Sequence, residues 1–196
     1  MTRSNFLAAL AFVAMLALPA APFAQGAGAW EELERSAWIA DGSPEAARVV
    51  YVFTDPNCPF CAKLWADARP WVASGKVQLR HVIVGILSPT SPGKAAALLG
   101  DKDPARALAA YEGLHAPAMA KALAEGARPR PLGDEGLSPM ASIPARIAEK
   151  LDANARLMAS FGLPATPGLV WRDAKGAIHA RAGAPDSVLP EILGPR

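Results

Sequence analysis

The two cysteines of the chain, Cys58 and Cys61, stand one helical turn apart where a strand hands over to a helix. Val49-Val50-Tyr51-Val52-Phe53 is a β-branched and aromatic run of the kind that forms a buried strand. Asp55-Pro56-Asn57 carries turn chemistry, and helical spacing resumes from Cys58. The first N–H groups of a helix lack partners within it and the dipole is positive there, so a thiolate is favoured at Cys58 over a neutral thiol. Cysteines so placed have pKa values of roughly 3.5 to 7.5, against about 8.5 for a free thiol, which makes one sulfur a nucleophile near neutral pH. Cys61, a turn further in and less exposed, is then the thiol that resolves a mixed disulfide. Pro59 suits the first turn, because its missing N–H gives up no helical bond.

The same pair has two other uses, half of a zinc site or an inert structural disulfide. Zinc needs two further ligands; there is no other cysteine, and His81, His115 and His179 are scattered without ligand spacing. The reading therefore calls for a redox-active dithiol, with no metal and no cofactor.

Export decides what such a pair meets. Residues 1–29 carry Arg3 as their one charge, an apolar run from Phe6 to Leu18 and a tail rich in Pro, Ala and Gly, the order of a secretory signal peptide. Disulfides persist in oxidising compartments and are rare in the cytosol, so export gives the pair oxidants to react with. A formal charge of +2 over 196 residues is too small to argue for nucleic acid or an anionic membrane as partner.

Along the rest of the chain, Trp30, Leu33, Ala37 and Trp38 recur at helical spacing, predicting a helix over Trp30 to Ala40 within a linker-like segment 30–42. A helix from Cys58 to about Ala73, kinked at Pro70, leads to a strand over Lys76 to Leu87 that pairs parallel with the first in a βαβ unit. A parallel pair needs cover on both faces. The Ala-rich stretch 88–161 reads as a helical insertion, with helices near Lys94–Leu99, Pro104–Tyr111, Ala116–Ala124 and Pro144–Phe161, and an exposed loop over Gly126–Pro139. Two strands, Gly168–Arg172 and Ala177–Ala182, flank the turn Asp173–Gly176, and Pro185–Leu193 closes the chain as a short helix.

These stretches resemble the periplasmic thiol:disulfide interchange proteins of the DsbC/DsbG type, nearest to DsbG. The likeness rests on Phe53-Thr54-Asp55-Pro56-Asn57-Cys58-Pro59-Phe60-Cys61, on Ala68 to Arg80, on Ser88-Pro89-Thr90-Ser91-Pro92, on Lys102-Asp103-Pro104-Ala105 and on Thr166-Pro167. It implies an α/β thioredoxin-like fold over 43–196 and a periplasmic oxidoreductase whose Cys-Pro-Phe-Cys dithiol exchanges with protein disulfides or sulfenic acids. The reducing direction is favoured over a DsbA-like oxidase; a chaperone-like or copper-binding module is the reading from another class. It also implies that Pro167 is cis beside the sulfurs, with Thr166 offering a hydroxyl to the thiolate and the backbone before Pro167 pairing with substrate. Partners implied are exported proteins with cysteines and a membrane thiol reductase that recycles the dithiol. Three departures stand out. Phe60 replaces the family's tyrosine, Val52 occupies the place of a buried acid in thioredoxin, leaving Asp55 as a weak substitute, and the leader runs straight into the linker helix where relatives place a dimerisation domain. A monomer is therefore expected.

Overall fold

The computed structural model describes residues 28–195. The expected signal peptide lies outside the described residues, apart from the small-residue end of its tail. A five-stranded sheet forms the centre, built from β1 (Trp38–Asp41), β2 (Arg48–Thr54), β3 (Val77–Ile83), β4 (Gly168–Arg172) and β5 (Ile178–Ala182) in the spatial order β1-β3-β2-β4-β5. β2 and β3 run parallel, in register from Arg48 opposite Val77 to Thr54 opposite Ile83. The other three pairings are antiparallel.

Alternation along β2 explains its uniformly apolar sequence. Val50 and Val52 join a core with Leu64, Trp71, Leu79, Leu169 and Ile192, whereas Tyr51 and Phe53 join another with Trp30, Leu33, Val82, Met158 and Phe161. Both faces of the parallel pair are thus covered. The first core is closed by α2 (Pro59–Asp67), α3 (Arg69–Ala73) and α7 (Leu189–Leu193), the second by α1 (Ala29–Arg35) and α6 (Ala145–Ser160). Between β3 and β4, α4 (Ser91–Gly100), α5 (Pro104–Ala124) and α6 form the helical insertion.

Four expectations are corrected. The helix expected over Trp30–Ala40 ends at Arg35, and Trp38–Asp41 is instead an edge strand. Ser36 turns extended and its hydroxyl bonds to the Leu33 carbonyl at 2.7 Å, while Asn154 of α6 grips both the N–H and the C=O of Ala37. Ile39 can then enter the core from a strand. The helix expected over Cys58–Ala73 is broken at Ala68 into α2 and α3, because Pro70 has no N–H to continue the ladder. The strand expected to reach Leu87 stops at Ile83, where the next segment turns to bond Asp55. The two helices expected around Gly113 and Pro117 are one, α5. Pro117 removes a single donor, and the buried face through Leu108, Tyr111, His115 and Met119 continues across it.

Candidate active site

Cys58 caps α2 with an extended backbone (φ −83°, ψ 109°), and Pro59 takes the first helical position. The turn that presents it is held by a buried polar network. Asp55, without exposed surface, accepts from Asn57 N and Ser91 Oγ on one oxygen, both at 2.8 Å, and from the N–H groups of Ile86 and Leu87 on the other. Asn57 Nδ2 in turn bonds the hydroxyls of Ser88, Thr90 and Ser91 at 2.6 to 3.1 Å. The Ser-Pro-Thr-Ser-Pro stretch thus clamps the turn before Cys58, and Asp55 is fully occupied there.

The side-chain oxygen of Asn57, Oδ1, accepts from Lys94 Nζ at 2.7 Å. Lys94 is a wholly buried lysine. Its ammonium also reaches Tyr111 OH (3.2 Å), the carbonyls of Leu132 (3.3 Å) and Gly133, and Asp134 Oδ1 (2.9 Å). With Leu132 N on Asn57 O at 3.0 Å, these bonds tie the middle of the expected open loop to the site, while Arg128 and Arg130 stay in solvent. Gly93 permits the approach, since a Cβ there would lie 2.8 Å from the Met140 carbonyl oxygen.

The Thr166–Pro167 peptide is cis, and the Cys58 thiol donates to the Thr166 carbonyl at 3.3 Å. Pro167 and Cys58 are buried, Thr166 is half-buried, and Phe60 is 47% exposed at the rim. A cavity of about 460 Å³ beside them is lined by Phe60, Lys63, Leu123, Thr166, Pro167 and Gly183.

The two cysteines are buried almost equally, 3% and 2% exposed, so exposure does not separate them as expected. Hydrogen bonding does. Donation from the Cys61 thiol, against the opposing effect of burial, then from the Thr166 hydroxyl and the N–H groups of Cys61 and Phe60, brings the Cys58 thiol down from the ordinary 9.0 to about 7. Burial first, and then the hydrogen bond to Cys58, push the Cys61 thiol up.

Elsewhere in the interior, Thr54 Oγ1 meets His81 Nδ1 at 2.9 Å, and Arg69 forks onto Asp41. Burial alone would raise the Asp41 carboxyl, but His81 and Arg69 hold it at about 2. The histidines weighed as zinc ligands are engaged separately: His81 with Thr54, His115 Nε2 with the Glu135 carbonyl at 3.1 Å, and His179 with Asp173 at 2.9 Å. One buried acid was missed from the sequence. Glu112 of α5 is 1% exposed, and the spacing Leu108, Glu112, His115, Met119 already places it on the helix's buried face.

The sheet order and the helix-capping dithiol define a protein of the thioredoxin class. Solved structures agree: the catalytic domain of Proteus mirabilis ScsC superposes with TM-score 0.61 at 20% identity, over 85% of this chain and 93% of that one. A periplasmic thioredoxin-like protein from Salmonella enterica serovar Typhimurium gives 0.60 at 20% identity, over 84% and 93%. Identities this low speak for the fold alone. Within the class the chain is DsbG-like. It is 46% identical over 168 residues to the thiol:disulfide interchange protein DsbG of Pseudomonas aeruginosa, and 37% identical over 164 residues to that of Escherichia coli. These matches cover 85% and 84% of this chain but 59% of each relative, so the chain spans less than two thirds of the length of the curated proteins it matches. No family model matches.

Proposed function

We propose that this chain is a periplasmic thiol:disulfide oxidoreductase that works mainly as a reductant of disulfides or sulfenic acids in exported proteins. Cys58 attacks the substrate sulfur and Cys61 resolves the mixed disulfide. Pro59 starts the helix behind the nucleophile, Phe60 and Pro167 wall the cavity a substrate chain would enter, and Thr166 steadies the Cys58 thiolate. A membrane thiol reductase would return the dithiol to its reduced form.

What supports the direction is the set of donors around the Cys58 thiolate, which lowers its thiol only to about 7. Its named donors are a thiol, a hydroxyl and backbone N–H groups, all neutral. A dithiol becomes a strong oxidant when its reduced form is strongly stabilised, as with thiols near pKa 3.5, whereas values near 7 accompany reducing members of the class. Trapping by rapid acid quench and thiol alkylation in the exported compartment tests this: Cys58 and Cys61 should be found mostly as thiols. A predominantly oxidised pair would make the protein an oxidase instead.

The protein is read as a monomer. Of Trp30 and Trp38, the large apolar side chains that an alternative dimer face would use, Trp30 is buried and Trp38 is half-buried on the edge strand. Trp30 packs edge-on against Tyr51 at 5.1 Å, and Arg80 lies 4.6 Å over the Trp38 ring. A stable dimer in light scattering at micromolar concentration would contradict this.

A further inference from the structure

Lys94 sits against two ordinary preferences. It is wholly buried, which is costly for an ammonium, and it stands in the first turn of α4, where the helix dipole opposes a cation. A well-packed apolar side chain would serve a purely structural slot at least as well. The bonds that Lys94 makes lead instead to the peptide that carries Cys58.

Each polar group of Asn57 is held. Its N–H donates to Asp55 Oδ1 at 2.8 Å, and its Nδ2 to the hydroxyls of Ser88, Thr90 and Ser91. Its two acceptors both depend on Lys94. Asn57 Oδ1 accepts from Lys94 Nζ at 2.7 Å. The Asn57 main-chain carbonyl accepts from Leu132 N at 3.0 Å, and the Leu132 carbonyl in turn accepts from Lys94 Nζ at 3.3 Å. The Asn57 C=O and the Cys58 N–H belong to one planar peptide unit. The other side of that plane is held as well, since Cys58 N donates to Asp55 O at 2.9 Å. How the plane is set decides where the Cys58 side chain leaves the backbone. From there Sγ lies 3.3 Å from the Thr166 carbonyl and takes up the N–H groups of Phe60 and Cys61.

We propose that Lys94 is a positioning residue for the dithiol: by holding both acceptors of Asn57 it fixes the peptide that presents Cys58, and with it the reactivity of that sulfur. This rests on the reading of Cys58 as the attacking thiol. Lys94 acts through Asn57 and not on the sulfur. Tyr111 OH, the Gly133 carbonyl and Asp134 Oδ1 complete the oxygens around the ammonium, so one side chain sets α5, the 132–134 segment and the nucleophile together. Without it, Asn57 Oδ1 loses its donor and Leu132 loses the bond that keeps its N–H on the Asn57 carbonyl. The Asn57–Cys58 peptide is then free to rotate, Sγ moves off the N–H groups at the start of α2, and the thiolate is favoured less.

The test is alkylation of Cys58 across a pH series in the reduced full chain, at a temperature well below unfolding, for wild type, Lys94→Met, Asn57→Ala and the double variant. The titratable groups around Cys58, namely Cys61 and Lys63 on α2, Asp55 in the turn and Glu112 on α5, are the same in all four. Each single variant should raise the Cys58 midpoint by about one pH unit toward the ordinary thiol value. The double variant should move it by clearly less than the sum of the two, because the substitutions break one linkage. Ile192→Ala, which opens a cavity in the core against α7, should lower Tm and leave the midpoint at the wild-type value. Lys94→Met with a lowered Tm but a wild-type midpoint would make the lysine structural only and overturn the proposal. Fully additive shifts would do the same, by showing that the ammonium acts without Asn57, as would a shift in Ile192→Ala as large as that in Lys94→Met. Should the Met variant not fold, Asn57→Ala carries the test, since an unchanged midpoint there leaves Lys94 nothing to act through. Faster modification of Cys61 than of Cys58 in the wild-type protein would overturn the dithiol reading itself, whatever Lys94 does.

Discussion

Cys61→Ser is expected to leave the protein covalently joined to exported proteins through Cys58, while Cys58→Ser forms no such adducts. With Cys61 replaced, the nucleophile remains: the Cys58 thiol keeps the Thr166 hydroxyl and the N–H donors at the start of α2, which favour its thiolate, and still attacks a substrate sulfur. What is lost is the second thiol, one turn away, whose N–H donates to the Cys58 carbonyl at 3.0 Å. The mixed disulfide then persists until an external thiol removes it. With Cys58 replaced, the remaining thiol is buried and raised well above its ordinary range, so capture and turnover should both vanish. Non-reducing electrophoresis after acid quench reads the outcome. Equal capture by both variants would remove the division of roles.

The largest structural loss is expected from Lys94→Met. Methionine fills similar space but leaves Asn57 Oδ1, Tyr111 OH and the carbonyls of Leu132 and Gly133 without their shared donor, and Asp134 without its cation. Removing one partner of a buried charged cluster costs about 3 to 5 kcal/mol, which lowers Tm by roughly 10 °C in a domain of this size. Because Lys94 bridges α4, α5, the 132–134 segment and the turn before Cys58, the variant should also free that segment to hydrogen exchange. Calorimetry giving a Tm within about 2 °C of wild type would show that the ammonium contributes little there.

The parts legible in the sequence were those whose determinants are local. A β-branched run, an Asp-Pro-Asn turn and a proline after Cys58 specify strand, turn and helix start within a few residues, and they bring the dithiol with them. The hairpin around Asp173-Ala174-Lys175-Gly176 was readable for the same reason. The edge strand Trp38–Asp41 was not, because four residues carry little periodicity and its formation depends on β3 and on Asn154, more than a hundred residues away. Lys94 reads as a surface residue in an Ala-rich helix until the carbonyls of a distant loop are brought onto it. Glu112 occupied a helical core position that could have been counted, yet one carboxylate among apolar neighbours gave no sign of being buried without a hydrogen-bond partner. Likewise the Ser88–Pro92 stretch was recognisable as a pattern, while its work of holding Asn57 and Asp55 emerged from the fold.

We assign the reactive thiol to Cys58 because neutral hydrogen-bond donors, at the start of α2 and on Thr166, stabilise its thiolate. Alkylation of the native reduced protein by iodoacetamide across a pH series, with each cysteine quantified by peptide mass spectrometry, tests it most directly. Modification is expected at Cys58 with a midpoint near pH 7, with Cys61 essentially unmodified throughout the native range. Faster modification of Cys61, or a Cys58 midpoint at the ordinary thiol value near 9.0, would contradict it.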